Sequence, residues 1–380
     1  MDIPYAKHEI TDEDIKNVIS ALTSGALTNG PFLSQFEERF ANYTGSSNAL
    51  GVSSGTSGLH LAVESLTKPE DRGKTVLLPS LTFAATANSV LYAGLRLEFV
   101  DIDSDTLLID VADLEAKLAA NSSKYVGLMV VDFAGMPINI KQVAKICKKY
   151  GIWLIEDAAH ALGAVYYDSG KSIKVGSGEY ADATVFSFHP AKHITTGEGG
   201  MVTTNNQSLF QDMQLLRSHS LDRSTVQTKK DNWYYRIKKL GYNYRLSELH
   251  AALGLSQLSR IETNLARRRK IASTYIEALS GLDLNMQPSL PEANNAYHLF
   301  VVQTAKRKEL YEQLKTHGIF AQIHYVPLHM QPFYKKLVGS VSLPKTERYY
   351  DLCISLPIFP TLKHEEQSRV IEVISGTLGS

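Results

Sequence analysis

Apolar positions recur along the chain with two periods, and each change of period marks an element. Residues 12–24 and 32–43 place apolar side chains every three to four positions. They predict two opening helices, the first announced by the cap signal T-D-E-D-I. Between them lies the turn-rich stretch S-G-A-L-T-N-G-P. From residue 49 short apolar runs alternate with helical patterns. Strands are predicted at 49–53, 76–78, 98–102, 126–133 and 152–156, and helices from 57, at 83–92, 111–120 and 140–150. That rhythm predicts an α/β fold with a mostly parallel sheet covered by helices on both faces. The runs 183–188 and 201–204 are too close for a crossover helix. They read as neighbouring strands joined by a turn, so one strand runs against the rest. A long helical pattern follows at 246–279, with a break. Its R-R-R-K at 267–270 reads as a solvated face. Beyond 281 the elements shorten: a strand at 298–303, a helix at 308–317, a strand at 321–324 and a last helix from 363. The expected division is a large α/β domain over 1–250, and a linking helix with a smaller C-terminal α+β domain over 251–380.

Composition narrows the function classes. A chain of 380 residues with 44% hydrophobic content can bury a sizeable core. Its 39 basic and 39 acidic residues leave no net charge, which argues against a nucleic-acid or membrane-surface footprint. The opening MDIPYAKHEITDEDIK has no apolar signal core, and the longest near-apolar run, 125–136, is too short to span a bilayer, so a cytoplasmic protein is expected. Cys147 and Cys353 form neither a metal spacing nor a disulfide framework, and read as two buried thiols with no metal site.

Three predicted strand ends carry chemistry. The first runs into S-S-G-T-S-G at 53–58, where a helix starts at once. Free N–H groups there form an anion site, although alone the motif reads as an ordinary Ser/Thr cap. The strand I-W-L-I-E runs into Asp157, a carboxylate that needs a partner where the sheet is covered. A protonated pyridine nitrogen would serve, and so, for this residue alone, would a helix cap or a structural ion pair. His160 could orient Asp157 or reach a ring hydroxyl, or be a satisfied structural histidine. The third strand ends in S-F-H-P, and Lys192 stands in the turn just beyond. A lysine desolvated there can form a Schiff base with pyridoxal phosphate, whereas a lone lysine is usually a solvated surface group. Strand C-terminal ends of an α/β sheet converge on one crevice, which would bring the three together. Phe83, at the same edge, could stack on a flat ring or pack in the core. G-K-S at 170–172 and G-K-T at 73–75 lack the first glycine of a P-loop. G-S-G-E-Y-A at 176–181 precedes a strand instead of opening a helix, so a dinucleotide fingerprint is absent.

Taken together, S-F-H-P-A-K-H-I-T-T-G-E-G-G, S-G-T-S at 54–57, P-S-L-T-F-A-A-T-A-N at 79–88, E-D-A-A-H at 156–160 and G-Y-N-Y-R-L-S-E-L-H-A-A at 241–252 resemble the sugar-nucleotide aminotransferases of the DegT/StrS family. The likeness covers nearly the whole chain. It implies a fold type I enzyme that holds pyridoxal 5'-phosphate through Ser54, Gly55, Thr56, Phe83, Asp157, His160, Ser187, Lys192 and Asn243. Lys192 and Asp157 would be catalytic. Sugar-nucleotide contacts would come from Tyr5, Ala26, Leu27, Thr28, Asn29, Ser54, Ser187, Asn243, His324, Tyr325, Val326 and Pro327. The resemblance implies that Asn243 comes from the other subunit, hence a homodimer with shared sites. With I-H-Y-V-P-L-H-M-Q-P-F-Y at 323–334, it looks most like the branch that aminates position 4 of a UDP-linked 4-keto-6-deoxy N-acetyl sugar, with L-glutamate as donor, in pseudaminic acid biosynthesis. Family members that dehydrate sugars carry histidine at the lysine position, so Lys192 favours transamination. Arg245 is a weaker candidate for the glutamate carboxylate, and reads more readily as a dimer salt bridge. Amination of another nucleotide-linked keto sugar, a non-catalytic protein that kept the fold, and a nucleotide-dependent oxidoreductase are the alternatives.

Overall fold

A computed structural model describes residues 2–222 and 233–379. Its centre is a seven-stranded sheet built from β1 (Asn48–Val52), β2 (Thr75–Pro79), β3 (Arg96–Val100), β4 (Tyr125–Val131), β5 (Trp153–Asp157), β6 (Ala183–Ser187) and β7 (Gly200–Thr204). Their spatial order is β1-β7-β6-β5-β4-β2-β3. Only β7 runs against its neighbours, pairing antiparallel with β1 and β6, as the short 183–204 connection requires. Every residue of β2, β4 and β7 is buried, which explains why these strands read as continuous apolar runs without alternation.

Helices cover both faces. They include α1 (Asp12–Thr23), α2 (Pro31–Thr44), α3 (Gly55–Leu66), α4 (Ala84–Tyr92), α5 (Val111–Ala120), α6 (Ile140–Tyr150), α7 (Gln207–Arg217), α8 (Glu248–Ser259) and α9 (Ile261–Ala278). One apolar cluster joins α2, α5, α6 and α8 to one face of the sheet, and a second joins α3, α4 and α7 to the other. A third gathers Ile3, Ile271, Tyr275, Phe300, Leu310, Ile354 and Val370 around a small antiparallel sheet of Asn285–Met286, Phe300–Gln303 and Cys353–Leu356. The long helical pattern is interrupted at Arg260, between α8 and α9. Cys147 and Cys353 are both buried and free.

Two expectations fail. The run at 321–324 is not a strand: the pairing is made by Ile319–Phe320 with Ile3–Pro4, and Gln322 keeps a single bridge to Ser355. The R-R-R-K stretch is not a solvated face. Arg268 is only 2% exposed, and its guanidinium donates to the carbonyls of Tyr297, His298 and Ile358. Arg269 bonds the carbonyls of Asn295 and Gly163, and Arg267 that of Leu362. Guanidinium groups carry enough donors to gather several carbonyls, so this run ties α9 to the segments beside it. Of the four side chains only Lys270 stands fully in solvent.

Candidate active site

The C-terminal ends of β1, β2, β4, β5 and β6 open on one cavity of about 450 Å³. Lys192 reaches it from the β6–β7 turn. That turn is pinned by main-chain bonds from Lys192 N to His189 O (2.8 Å) and from Thr196 N to Phe188 O (3.0 Å). Phe186 and Phe188 anchor its base against Phe36 and Phe40 of α2, with ring centroids 5.1–5.6 Å apart. Lys192 is half-buried with its amine desolvated inside the cavity, which lowers its pKa to about 8 while the Asp157 charge opposes the shift. A much larger share is therefore neutral, and nucleophilic, at physiological pH than for a surface lysine.

Asp157 ends β5 and lines the same cavity. Thr86 Oγ1 donates to its Oδ2 at 2.7 Å and the Ala159 amide to its Oδ1 at 3.2 Å. Burial pushes the carboxyl up, against those two donors and the Lys192 charge. A cationic N–H offered from the cavity would therefore stabilise the ionised form. Thr86, set on α4 by the turn after β2, was not singled out in the sequence; only its place beyond a strand end could have flagged it. His160 does not orient Asp157. Its Nδ1 faces the Ala134 amide at 3.3 Å and its Nε2 the Tyr325 hydroxyl at 3.1 Å, so both nitrogens are engaged elsewhere.

At the end of β1, Ser54 caps α3 with a reciprocal Ser54–Ser57 box. The ordinary cap and the anion site are thus one structure. The Ser54 side chain satisfies the Ser57 amide, and the preceding amides of Gly55 and Thr56 lie before the first intrahelical partner, at the positive end of the macrodipole. Gly200 permits this packing, because a Cβ there would lie 2.8 Å from Gly55 N. Ser187 flanks the same amides, with its Oγ 3.4 Å from where a Gly55 side chain would begin.

The outer wall holds Tyr5, Phe83, His324 and Tyr325. Phe83 is 60% exposed with its ring 6.1 Å from Tyr325, so it forms a cavity wall and not a core contact. Other expected residues stand apart. Ala26, Leu27, Thr28 and Asn29 do not line the cavity. Their loop is fixed by the buried Glu248 carboxylate, which accepts from the amides of Gly30, Phe32 and Leu33. Val326, Pro327 and Asn243 are also outside the cavity lining. Arg245 bridges to Val52 through its main chain. His298 was missed: it enters the cavity with Nε2 3.4 Å from Lys192 Nζ.

These groups fit pyridoxal phosphate. The cavity offers a buried amine for its carbonyl, a buried acid for its ring nitrogen, an exposed aromatic face and helix-start amides for its phosphate. Among the described residues no His/Cys/Asp/Glu cluster suits a metal ion, and no helix is long and apolar enough to cross a membrane.

Comparison with known proteins agrees. Residues 8–375 match the profile of the DegT/DnrJ/EryC1/StrS aminotransferase family. A UDP-4-amino-4,6-dideoxy-N-acetyl-beta-L-altrosamine transaminase of Campylobacter jejuni is 39% identical over 382 residues, covering 99% of this chain and 97% of the relative. Helicobacter pylori PseC, an aminotransferase involved in the biosynthesis of pseudoaminic acid, superposes with a TM-score of 0.91 at 31% identity, covering 100% of both chains. Spr1654 of Streptococcus pneumoniae, solved in its PMP form, gives a TM-score of 0.91 at 27% identity over 99% of both chains. The lysine and the acid that meet across the sheet edge thus stand in a chain that belongs to the DegT/DnrJ/EryC1/StrS family, a pyridoxal-phosphate-dependent sugar aminotransferase of fold type I.

Proposed function

We propose that the protein transfers an amino group from L-glutamate to position 4 of a UDP-linked 4-keto-6-deoxy-N-acetyl-hexose in the cytoplasm, serving pseudaminic acid synthesis. The observation that carries the chemistry is the buried Lys192 amine sharing one cavity with the buried Asp157 carboxyl. The choice of sugar rests on the 39% identity to the altrosamine transaminase and on the likeness to PseC.

Bound in the cavity, pyridoxal phosphate supplies an electrophilic carbonyl and a ring that accepts electrons from an adjacent carbon. Asp157 keeps the ring nitrogen cationic, with Thr86 fixing its carboxylate. The amides of Gly55 and Thr56, with Ser187, hold the phosphate, and Phe83 covers a ring face. Lys192 Nζ takes a proton from the α-carbon of the amino donor. In the second half-reaction it gives one to the sugar carbon that receives nitrogen, so a single amine serves as base and acid. Tyr5, His324 and Tyr325 face the sugar. The loop Ala26–Asn29, with Leu27 and Thr28, and Asn243 complete the site of the partner subunit in a homodimer.

Purified protein with cofactor should absorb as a lysine–pyridoxal imine, and borohydride should fix the cofactor mass to Lys192. K192A should lose both, and about 10³-fold or more in turnover. Absence of fixation would remove the assigned role. A panel of UDP-, dTDP- and GDP-linked keto sugars tests the substrate. Turnover of a non-UDP sugar alone would replace this reading with amination of a different keto sugar.

A further inference from the structure

His298 stands just before the strand Phe300–Gln303, far in sequence from Lys192 and the strand-end residues of the cavity. Its segment is fastened at several points. Ala296 N donates to Gly135 O (2.9 Å) and Leu299 N to Ala134 O (3.1 Å), stitching residues 296–299 to the loop after β4. Gly135 makes this approach possible: with φ at +101°, a side chain there would lie 2.9 Å from His298 N. Tyr297 adopts a left-handed φ of 49°, unusual for an aromatic residue. Arg268 binds the carbonyls of Tyr297 and His298 from behind. The imidazole is thus delivered to the cavity on a tightly held backbone.

Its ring has one polar neighbour and one empty side. Nε2 lies 3.4 Å from Lys192 Nζ, while Nδ1 is buried without a hydrogen-bond partner. The groups facing this amine set the protonation. Asp157 opposes it from β5. His160 lies 4.3 Å and His193 5.7 Å from His298, ring centre to ring centre. His324 also senses the Lys192 charge, and Arg268 stands behind the histidines. A second cation in that company is disfavoured, so burial keeps all three inner imidazoles neutral. A neutral imidazole has a single acceptor nitrogen, and the one facing the protonated amine, which has only donors, is Nε2. The proton then resides on the orphaned Nδ1. A buried orphan donor calls for an explanation, and the bond to the lysine supplies it.

We propose that His298 is the positioning residue for the free Lys192 amine, accepting the hydrogen bond that holds this long flexible side chain in the cavity for cofactor capture and proton transfer. The inference rests on the reading of Lys192 given above. It concerns the state in which the amine is unbound, so it is read in the cofactor-free protein.

The experiment compares H298Q, which keeps an acceptor, with H298M and H298F, which do not. Reductive methylation of Lys192 by formaldehyde across a pH series, followed by mass spectrometry, reports the amine's titration. Stopped-flow absorbance reports cofactor capture. In the unaltered protein the midpoint is expected near 8. In H298M the midpoint should fall by about one unit, since the lost bond was to a charged group, and capture at about pH 9, where the amine is mostly neutral in both proteins, should slow about tenfold because the side chain is no longer held. H298Q should capture within about threefold of the unaltered protein. Because the Phe ring overfills the site, H298M carries the comparison if H298F misfolds. An unchanged midpoint and capture rate in H298M would overturn the proposal. So would an H298Q as impaired as H298M, since shape and not the acceptor would then be at work. Borohydride fixation on Lys192 of the unaltered protein separates the two readings. If fixation holds and H298M behaves normally, only the role of His298 falls.

Discussion

Glu156 and Asp157 are consecutive on β5 and so face opposite sides of the sheet. Asp157 meets the cavity. Glu156 meets the fully buried Asp132, and each of these two leaves one oxygen, Oε1 and Oδ2, without a donor. Thr184 satisfies the other oxygen of Glu156, and the Ile138 amide that of Asp132. Two buried carboxyls in this relation must share a proton, and burial raises Glu156 to about 7 and Asp132 in the same direction. A free glutamate ionises near 4, so between about pH 4 and 7 the folded protein keeps a proton that the unfolded chain has lost. Stability therefore falls as pH rises through that window. In E156Q the amide donates permanently to Asp132, and the fall should flatten; urea midpoints from pH 4 to 8 check it, and an unchanged slope would refute the shared proton. For Asp157 the sign of interest is kinetic. T86V removes a donor to the ionised carboxyl, worth about a factor of ten or more. Asp157 should then need a higher pH to ionise, moving the acid limb of the kcat/KM profile upward. Lys192 and Asp157 were legible in sequence because they follow apolar runs at strand ends. Thr86 and His298 were not, because each is set by what packs against it and its residue type is common.

At the scale of elements, α9 shows how a sequence signal was present and read wrongly. Ile261, Leu265, Arg268, Ile271, Ala272 and Tyr275 are its buried residues, a single stripe at helical spacing. Arg268 falls on that stripe, so its position said buried while its charge said solvated. Three carbonyls resolve the conflict, although burial still depresses the guanidinium to about 10. R268K offers a point charge in place of the fork, and R268A leaves the carbonyls bare. Losses of about 2 and 3 kcal/mol are expected from urea unfolding, with R268K the milder. Equal stability of R268K and the unaltered protein would show that the fork is dispensable. The hairpin Val165–Asp168 and Lys171–Lys174 escaped the sequence because its strands are short and mixed in polarity. The G-K-S that failed as a P-loop starts there, its glycine being the second residue of a Ser169–Gly170 turn with both φ angles positive. The parallel strands were readable because burial on both faces leaves an apolar run, and strand ends drifted by a residue or two where capping decides them.

The whole molecule leaves part of the proposed site facing outward. Tyr242 and Tyr244 turn toward the second apolar cluster, where they gather on His60, and alternation points Asn243 between them to solvent. The loop at 26–29 is held by Glu248 with Leu27 exposed. On one face α1 exposes Ile15, Ile19 and Leu22, and the chain beyond 232 exposes Trp233, Ile237 and Leu240. Large apolar side chains left exposed suit a subunit interface. A homodimer that exchanges Asn243 makes a prediction no monomer can meet. K192A alone lacks the amine in both sites, and N243A alone lacks the donated amide in both. Mixed in one dimer, the K192A subunit lends its Asn243 to the intact lysine of the N243A subunit, restoring one site of two. Random assortment puts half the dimers in this form, so co-expression at equal levels should recover about a quarter of the unaltered activity. Each variant purified alone should remain far below that level. Recovery no greater than the average of the two variants would place Asn243 outside the partner's site, and the shared-site dimer would fall with it.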